Sequence, residues 1–396
     1  MEWIKKYYKE LVLIFLSFII TLVLADWLLH FTRYHSVFTR LAFPRYYFIA
    51  DEEMGVDIAP NFKKETHSFS DFTYDVWSNE LGCFDNPYNN ETPYIYLTGD
   101  SFAWGFTPFE DKLGTKMESL LNTRVVKCGV PGFGTKQEFI KTSRDLIRLP
   151  KPELIIVDYF SNDALNDATF PIDTVYKGYR VPNFNKKISE GEAQQKYDFW
   201  DKYCVFSMPA HPALQRIKCW FYNNSVIYNI LTKNLRPALI SIFPKQILDK
   251  IGIVISVDKY GNEISPAEQA EQDYSSRASF ATHLENIKNF KTLADKEKTK
   301  LLFVLIPEKG EVRSSGNDQT FQNEKIKPFL EENRIAYFDL LPVLRQYEDV
   351  KTRPLYWTID GHLNIQGNRL AGLAISRYLL EKNIIAVPDR KEILKK

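Results

Sequence analysis

From Tyr94 onward the chain alternates short apolar runs with segments whose apolar positions recur every three or four residues. Residues 94–97, 124–127, 154–157, 301–306 and 336–338 read as strands. Residues 111–121 read as a helix on the spacing of Leu113, Met117, Leu120 and Leu121; residues 136–149, 283–296 and 365–382 read likewise. Pro150, Pro152 and Pro307 stand at the boundaries between elements. Strands that are apolar on both faces and alternate with helices predict an α/β domain, a parallel sheet flanked by helices.

Two stretches break this rhythm. Residues 31–90 are mixed and aromatic with little periodicity, and are expected to form a connector packed on the main domain. Residues from about 170 to 281 carry Pro171, Pro182, Pro209, Pro212 and Pro237 and one aromatic-apolar stretch, 213–243. A segment of that length needs structure of its own. It is expected to be an insertion, mostly helical in its second half, over the sheet edge that carries the site. The main domain then spans 91–390 with this insertion, behind an N-terminal segment, 1–30.

Residues 11–29 read LVLIFLSFIITLVLADWLL. At a rise of ~1.5 Å each they reach about 28 Å, close to the hydrocarbon thickness of a bilayer. The expectation is a single membrane-spanning anchor. Lys5, Lys6 and Lys9 ahead of Val23-Leu24-Ala25 also suit a cleaved signal peptide, but Trp27, Leu28 and Leu29 carry the apolar run past that site. Basic residues stand on both sides of the span, so charge does not set its orientation. An anchor this near the N-terminus places the bulk of the chain, as an expectation, outside the cytoplasm.

Composition removes several function classes. Lys and Arg total 51 against 50 Asp and Glu, a net charge of +1, so there is no electrostatic footprint for nucleic acid. Four cysteines in 396 residues do not make a disulfide scaffold. With neither C-x-x-C nor H-E-x-x-H present, the usual zinc patterns are missing. Cys204 and Cys219 pair if their compartment is oxidising; otherwise all four cysteines are thiols.

Candidate chemistry lies in four short stretches just after strands or at a helix start, where open α/β sheets place ligands. Thr98-Gly99-Asp100-Ser101 puts a serine at a turn that Gly99 permits. Gly129-Val-Pro-Gly132-Phe-Gly134-Thr135-Lys136 has the wrong order for a phosphate loop, but a bare backbone N–H there can face an oxyanion. Ser161-Asn162-Asp163 offers an amide that donates without charge. Asp360-Gly361-His362 places a general base beside a carboxylate, with Gly361 supplying backbone freedom. Taken singly, each also fits a plain structural role: a cap, a turn, a surface histidine.

Together, in this chain order, the four stretches resemble the SGNH (GDSL-like) hydrolase superfamily. The resemblance spans roughly residues 94–380, less the insertion. It implies a flavodoxin-like sheet, Ser101 as nucleophile, and His362 with Asp360 as base and orienting carboxylate. It also implies an oxyanion hole from Ser101, Gly132 and Asn162, and no metal or organic cofactor. Upstream, Asn79-Glu-Leu-Gly82-Cys-Phe84-Asp85 is similar to a lead-in of membrane-anchored bacterial members. Two features depart from the pattern: Phe160 and Ser161 stand where members carry glycine, and Asp360 precedes His362 by two residues instead of three. That shorter spacing is similar to relatives involved in polysaccharide O-acetylation. The implied activity is a serine esterase on an acylated small molecule or cell-surface carbohydrate. O-acyl transfer to polysaccharide, or a non-catalytic carbohydrate-binding or assembly protein that keeps the fold, are the competing readings; a nucleotide site is disfavoured by the missing phosphate motifs.

Overall fold

The computed structural model describes residues 2–31, 43–69, 72–170, 173–176, 178–182, 220–221, 224–228, 256–257, 263–264, 280–314, 320–357 and 360–386. The chain divides into two compact units. One draws on residues 1–42, 68–72 and 188–255, the other on 43–67, 73–187 and 256–396.

The first unit holds α1 (Glu2–Leu29), whose window Val12–Leu29 has a mean hydropathy of 2.6 and no fully buried residue. The helix is apolar nearly all round, which in water would be unfavourable. Most of the expected insertion, with Cys204 and Cys219, lies outside the described residues. Its second half, expected to be mostly helical, is described only at 224–228, 256–257, 263–264 and 280–281, and there Ser256–Val257 and Glu263–Ile264 pair as antiparallel strands instead.

The second unit is built on five parallel strands: β1 (Tyr94–Gly99), β2 (Arg124–Lys127), β3 (Leu154–Tyr159), β4 (Lys300–Leu305) and β5 (Tyr337–Asp339). Their order is β5-β4-β3-β1-β2. This is the flavodoxin-like doubly wound arrangement, which opens a crevice where the chain reverses direction, between β1 and β3. In register, Leu97 faces Ile156 and Gly99 faces Asp158. The strands form because they are continuously apolar, and the side chains alternate between two cores. Ile95, Leu97, Ile156, Leu302 and Val304 pack on one face against α2 (Leu113–Leu121) and α6 (Ile365–Glu381). On the other face Tyr94, Tyr96, Ile155, Val157 and Phe303 pack against α3 (Thr135–Arg148) and α5 (Phe280–Glu297). Between β3 and the insertion lies α4 (Asn162–Thr169).

The region upstream of the sheet is more regular than its sequence suggests. Phe48–Asp51 and Gly55–Ile58 pair as an antiparallel hairpin, and Glu65–Phe69 and Phe72–Val76 are also strands. Four-residue strands are too short to show a period. The hairpin instead depends on its turn, where Asp51 Oδ1 accepts from the backbone N–H of Glu53 and Met54, and on the burial of Phe48, Val56 and Ile58.

The stretch Asn79–Asp85 closes onto the β2 edge. Asn79 Oδ1 accepts from the N–H groups of Leu81 and Cys83. Buried Asp85 pairs with Arg124 at 2.8 Å and with Lys127 Nζ at 3.0 Å. Cys83 is disulfide-bonded to Cys128, with Cα atoms 4.5 Å apart. The bonded pair is therefore one that the sequence left as free thiols. Their sequence separation of 45 hides a contact that exists only after β2 is laid beside this segment.

Candidate active site

Ser101 stands directly beyond β1. Gly99 ends the strand with φ +149°, and a Cβ there would lie 2.7 Å from the Asp158 carbonyl on β3. Only glycine fits so close an approach. Asp100 then caps the one-turn helix Ser101–Trp104, accepting from the Phe102 N–H at 2.9 Å. The Ser101 hydroxyl lies 3.0 Å from Asp100 Oδ2 and 2.8 Å from His362 Nε2. It has one proton and can donate to one of them at a time. Burial pushes the Asp100 carboxyl up, against the hydrogen bond from the Phe102 N–H and the charge of His362.

His362 reaches Ser101 from the loop ahead of α6. That loop is held by the Trp357 N–H donating to the His362 carbonyl and by a bridge between Tyr356 and Leu363. Asp360 Oδ1 lies 2.5 Å from His362 Nδ1 and also accepts the His362 backbone N–H at 2.8 Å. A carboxylate two residues upstream can thus serve ring and backbone together, as in an Asx turn. Burial alone would raise the Asp360 carboxyl. Hydrogen bonds from the His362 ring and backbone, with the charges of His362 and Lys309, hold it below the ordinary value. The expected role of Gly361 is not seen: it takes no left-handed conformation, and the Asp360 side chain shapes the turn instead. Phe102 and Phe106 flank the imidazole, with ring centroids at 5.0 and 4.3 Å.

Gly132 lies on the loop after β2, and this loop is drawn to β1 by the Val130 N–H donating to the Gly99 carbonyl. Gly132 has φ +73°, and a Cβ there would sit 2.7 Å from the Arg180 guanidinium. Arg180 donates to the Pro131 carbonyl, approaches the Gly132 carbonyl at 3.5 Å, and is itself paired with Asp173. From the other side Asn166, on α4, donates to the Phe133 carbonyl at 3.0 Å.

Asn162 is the first residue of α4, beyond β3, the strand next to β1. Its Oδ1 is buried without a hydrogen-bond partner among the described residues, so that oxygen accepts no turn or cap hydrogen bond there. Ser161 has φ −61° and ψ −29°, a conformation open to any residue, which explains why glycine is not required there. Its hydroxyl donates to Glu308 Oε1 at 3.1 Å, tying the end of β3 to the end of β4. Phe160 uses the other glycine position to pack on Phe102, at 4.4 Å between centroids.

Behind these loops Asp158, Asp163 and Glu138 are fully buried, and burial pushes all three carboxyls well up. Both side-chain oxygens of Asp158 and of Glu138 lack hydrogen-bond partners among the described residues. Cys83, Cys128 and Asp145 are the one metal-sized cluster among the described residues. Its two sulfurs are bonded to each other, and Asp145 accepts from Tyr96 at 2.6 Å, so it offers no ligand set as it stands.

The sequence did not point to Arg180, Lys309 or Glu308. Lys309 follows β4 and donates to the Trp357 carbonyl at 2.7 Å, with the Asp360 carbonyl at 3.4 Å. A polar residue shortly after a strand end was the available signal for Lys309 and Glu308. Arg180 had none, because it lies 48 residues from the glycine it braces.

No family model matches the chain, and no curated protein matches it. Matches among solved structures include a member of the lipolytic protein G-D-S-L family from Veillonella parvula, 12% identical over 73% of this chain and 96% of that one, with a TM-score of 0.36. A GDSL-like lipase from Bacteroides thetaiotaomicron is 11% identical over 74% of this chain and 87% of that one, with a TM-score of 0.32. An acetyl xylan esterase from the rumen bacterium Butyrivibrio proteoclasticus is 10% identical over 75% of this chain and 66% of that one, with a TM-score of 0.32.

Proposed function

We propose that the chain is a membrane-anchored serine esterase of the SGNH type, and that it removes or transfers O-acyl groups of carbohydrate through an acyl-Ser101 intermediate. The observation that carries this reading is one continuous line of contacts: Ser101 Oγ to His362 Nε2 at 2.8 Å, then His362 Nδ1 to Asp360 Oδ1 at 2.5 Å.

In this reading the Ser101 oxygen attacks the ester carbonyl as His362 Nε2 takes its proton. Asp360 stabilises the imidazolium and fixes the tautomer. The oxyanion is met by the N–H groups of Ser101 and Gly132 and by the Asn162 amide. Collapse of the tetrahedral species breaks the ester C–O bond, and His362 returns the proton to the departing alkoxide. Water or a sugar hydroxyl then attacks acyl-Ser101 by the same steps in reverse.

The carbohydrate assignment rests on the Asp-x-His spacing that the chain has in common with O-acetylation relatives. The anchor rests on the exposed apolar surface of α1. Placement outside the cytoplasm is supported by the buried Cys83–Cys128 disulfide, which an oxidising compartment maintains.

Release of acetate from acetylated glycans by the detergent-solubilised full chain tests the activity. Turnover that is lost in Ser101→Ala supports it, and turnover that persists in that variant refutes it. Membrane retention after alkaline washing tests the anchor, and a mature N-terminus at Asp26 would show cleavage instead.

A further inference from the structure

The polar interruption of α1 has a specific use. Asp26 Oδ1 accepts from the Ser225 hydroxyl at 2.9 Å and from the Ile227 backbone N–H at 2.8 Å. One turn on, His30 Nε2 lies 3.1 Å from the Asn224 carbonyl, and Val226 is fully buried. A short piece of the insertion is therefore fastened to the C-terminal end of the apolar helix, within one compact unit. In hydrocarbon an aspartate without partners is costly, and these two donors are what make Asp26 tolerable at the end of such a helix.

The fastened piece presents apolar rings outward. Trp220 is 61% exposed and Phe221 41%, beside an α1 terminus where Trp27 is 58% exposed and Phe31 73%. Asp26 precedes the last helical residue by three, about 4.5 Å along the axis, so this level falls where the hydrocarbon gives way to headgroups. Tryptophan is enriched at that boundary. The surrounding sequence agrees: residues 213–243 contain Arg216, Lys218, Lys233 and Arg236 and no Asp or Glu. Basic residues interleaved with aromatic and aliphatic ones suit an interfacial segment on anionic lipid.

We infer that the described piece of the insertion at 220–221 and 224–228 is a second membrane-contacting element, which lays Trp220 and Phe221 into the headgroup–acyl boundary of the bilayer that α1 crosses. This rests on α1 spanning the membrane. The partner is the lipid surface, and Asp26 is the latch that holds the segment at the right depth.

The test uses the full chain in phosphatidylcholine–phosphatidylglycerol vesicles. Trp220→Cys and, separately, Phe221→Cys are made in a Cys204→Ser/Cys219→Ser background and labelled with an environment-sensitive fluorophore. Ile147→Cys, at a position 87% exposed in the other unit, is the aqueous reference. The expected result at 220 and 221 is quenching by lipid-borne quenchers and several-fold weaker quenching by aqueous iodide than at 147. Asp26→Leu should restore iodide access at 220 while the chain still resists alkaline washing. If both labels on a wash-resistant chain are as open to iodide as position 147, the inference fails while the anchor stands. Shielding from iodide without quenching by lipid would mean a protein covers the patch, and also overturns it. Release of the chain by the wash, or an N-terminus at Asp26, refutes the anchor itself.

Discussion

A single carboxylate oxygen, Asp360 Oδ1, accepts the backbone N–H of His362 at 2.8 Å and lies 2.5 Å from the Nδ1 of the same residue. The two contacts depend on each other. The backbone bond turns the chain so that the ring comes back over the carboxylate, and the ring contact leaves Nε2 aimed at Ser101. This is how a two-residue spacing gives the geometry that a longer loop achieves elsewhere.

Asp360→Asn separates the two contacts. The amide oxygen keeps the backbone bond, so the loop should hold, but a neutral amide does not stabilise an imidazolium. Turnover should fall by roughly 10²–10⁴ with little change in melting temperature. Normal ester turnover in this variant would reduce the proposed relay to Ser101 and His362 alone.

Asn162→Ala removes the side-chain donor proposed for the oxyanion. The loss should appear in kcat, by roughly 10²–10³, with KM nearly constant, because the interaction forms mainly in the transition state. A raised KM at unchanged kcat would assign the amide to substrate binding.

Arg180 donates to the Pro131 carbonyl and lies 3.5 Å from the Gly132 carbonyl, so it holds the peptide whose N–H is proposed for the oxyanion hole. Arg180→Ala should lower kcat by about tenfold to a hundredfold, as expected for a misplacement near 1 Å. Arg180→Lys should recover part of the loss. A drop in melting temperature with kcat intact would make Arg180 a structural brace for the loop and nothing more.

The buried carboxyls make stability depend on pH. Folding raises the Glu138 carboxyl well above its ordinary value of 4.5, so above that value unfolding releases a proton that the native state keeps. Stability is then highest below the ordinary value and falls as pH rises toward the raised one, by about 1.4 kcal/mol per pH unit for the group. Glu138→Gln should melt higher than the parent at pH 8, and the gap should close toward pH 4.5. Parallel melting profiles would show that Glu138 is ionised in the native protein.

The strands of the sheet were legible because each is a continuous apolar run: residues 154–157 alone mark β3, and the structure adds only Asp158 and Tyr159. Helices α2, α3, α5 and α6 were legible from apolar residues at a helical period, whereas the short α4 was not. The hairpin Phe48–Asp51 with Gly55–Ile58 was not, because its strands are too short for a period and its turn depends on one aspartate. The Cys83–Cys128 bond and the Arg180 brace join segments that only the folded sheet brings together. Ser101 and His362, 261 residues apart, could be paired in the sequence only through the family resemblance; no local pattern links them.

Every proposed step of the chemistry requires Ser101 to be a nucleophile. Incubating the full-length protein in detergent with a fluorophosphonate, then mapping the adduct by peptide mass spectrometry, tests this most directly. The expected result is one phosphonylated serine, Ser101, with labelling abolished in Ser101→Ala and strongly slowed in His362→Ala. No adduct on the folded protein, or an adduct on a different serine that survives Ser101→Ala, would contradict the account.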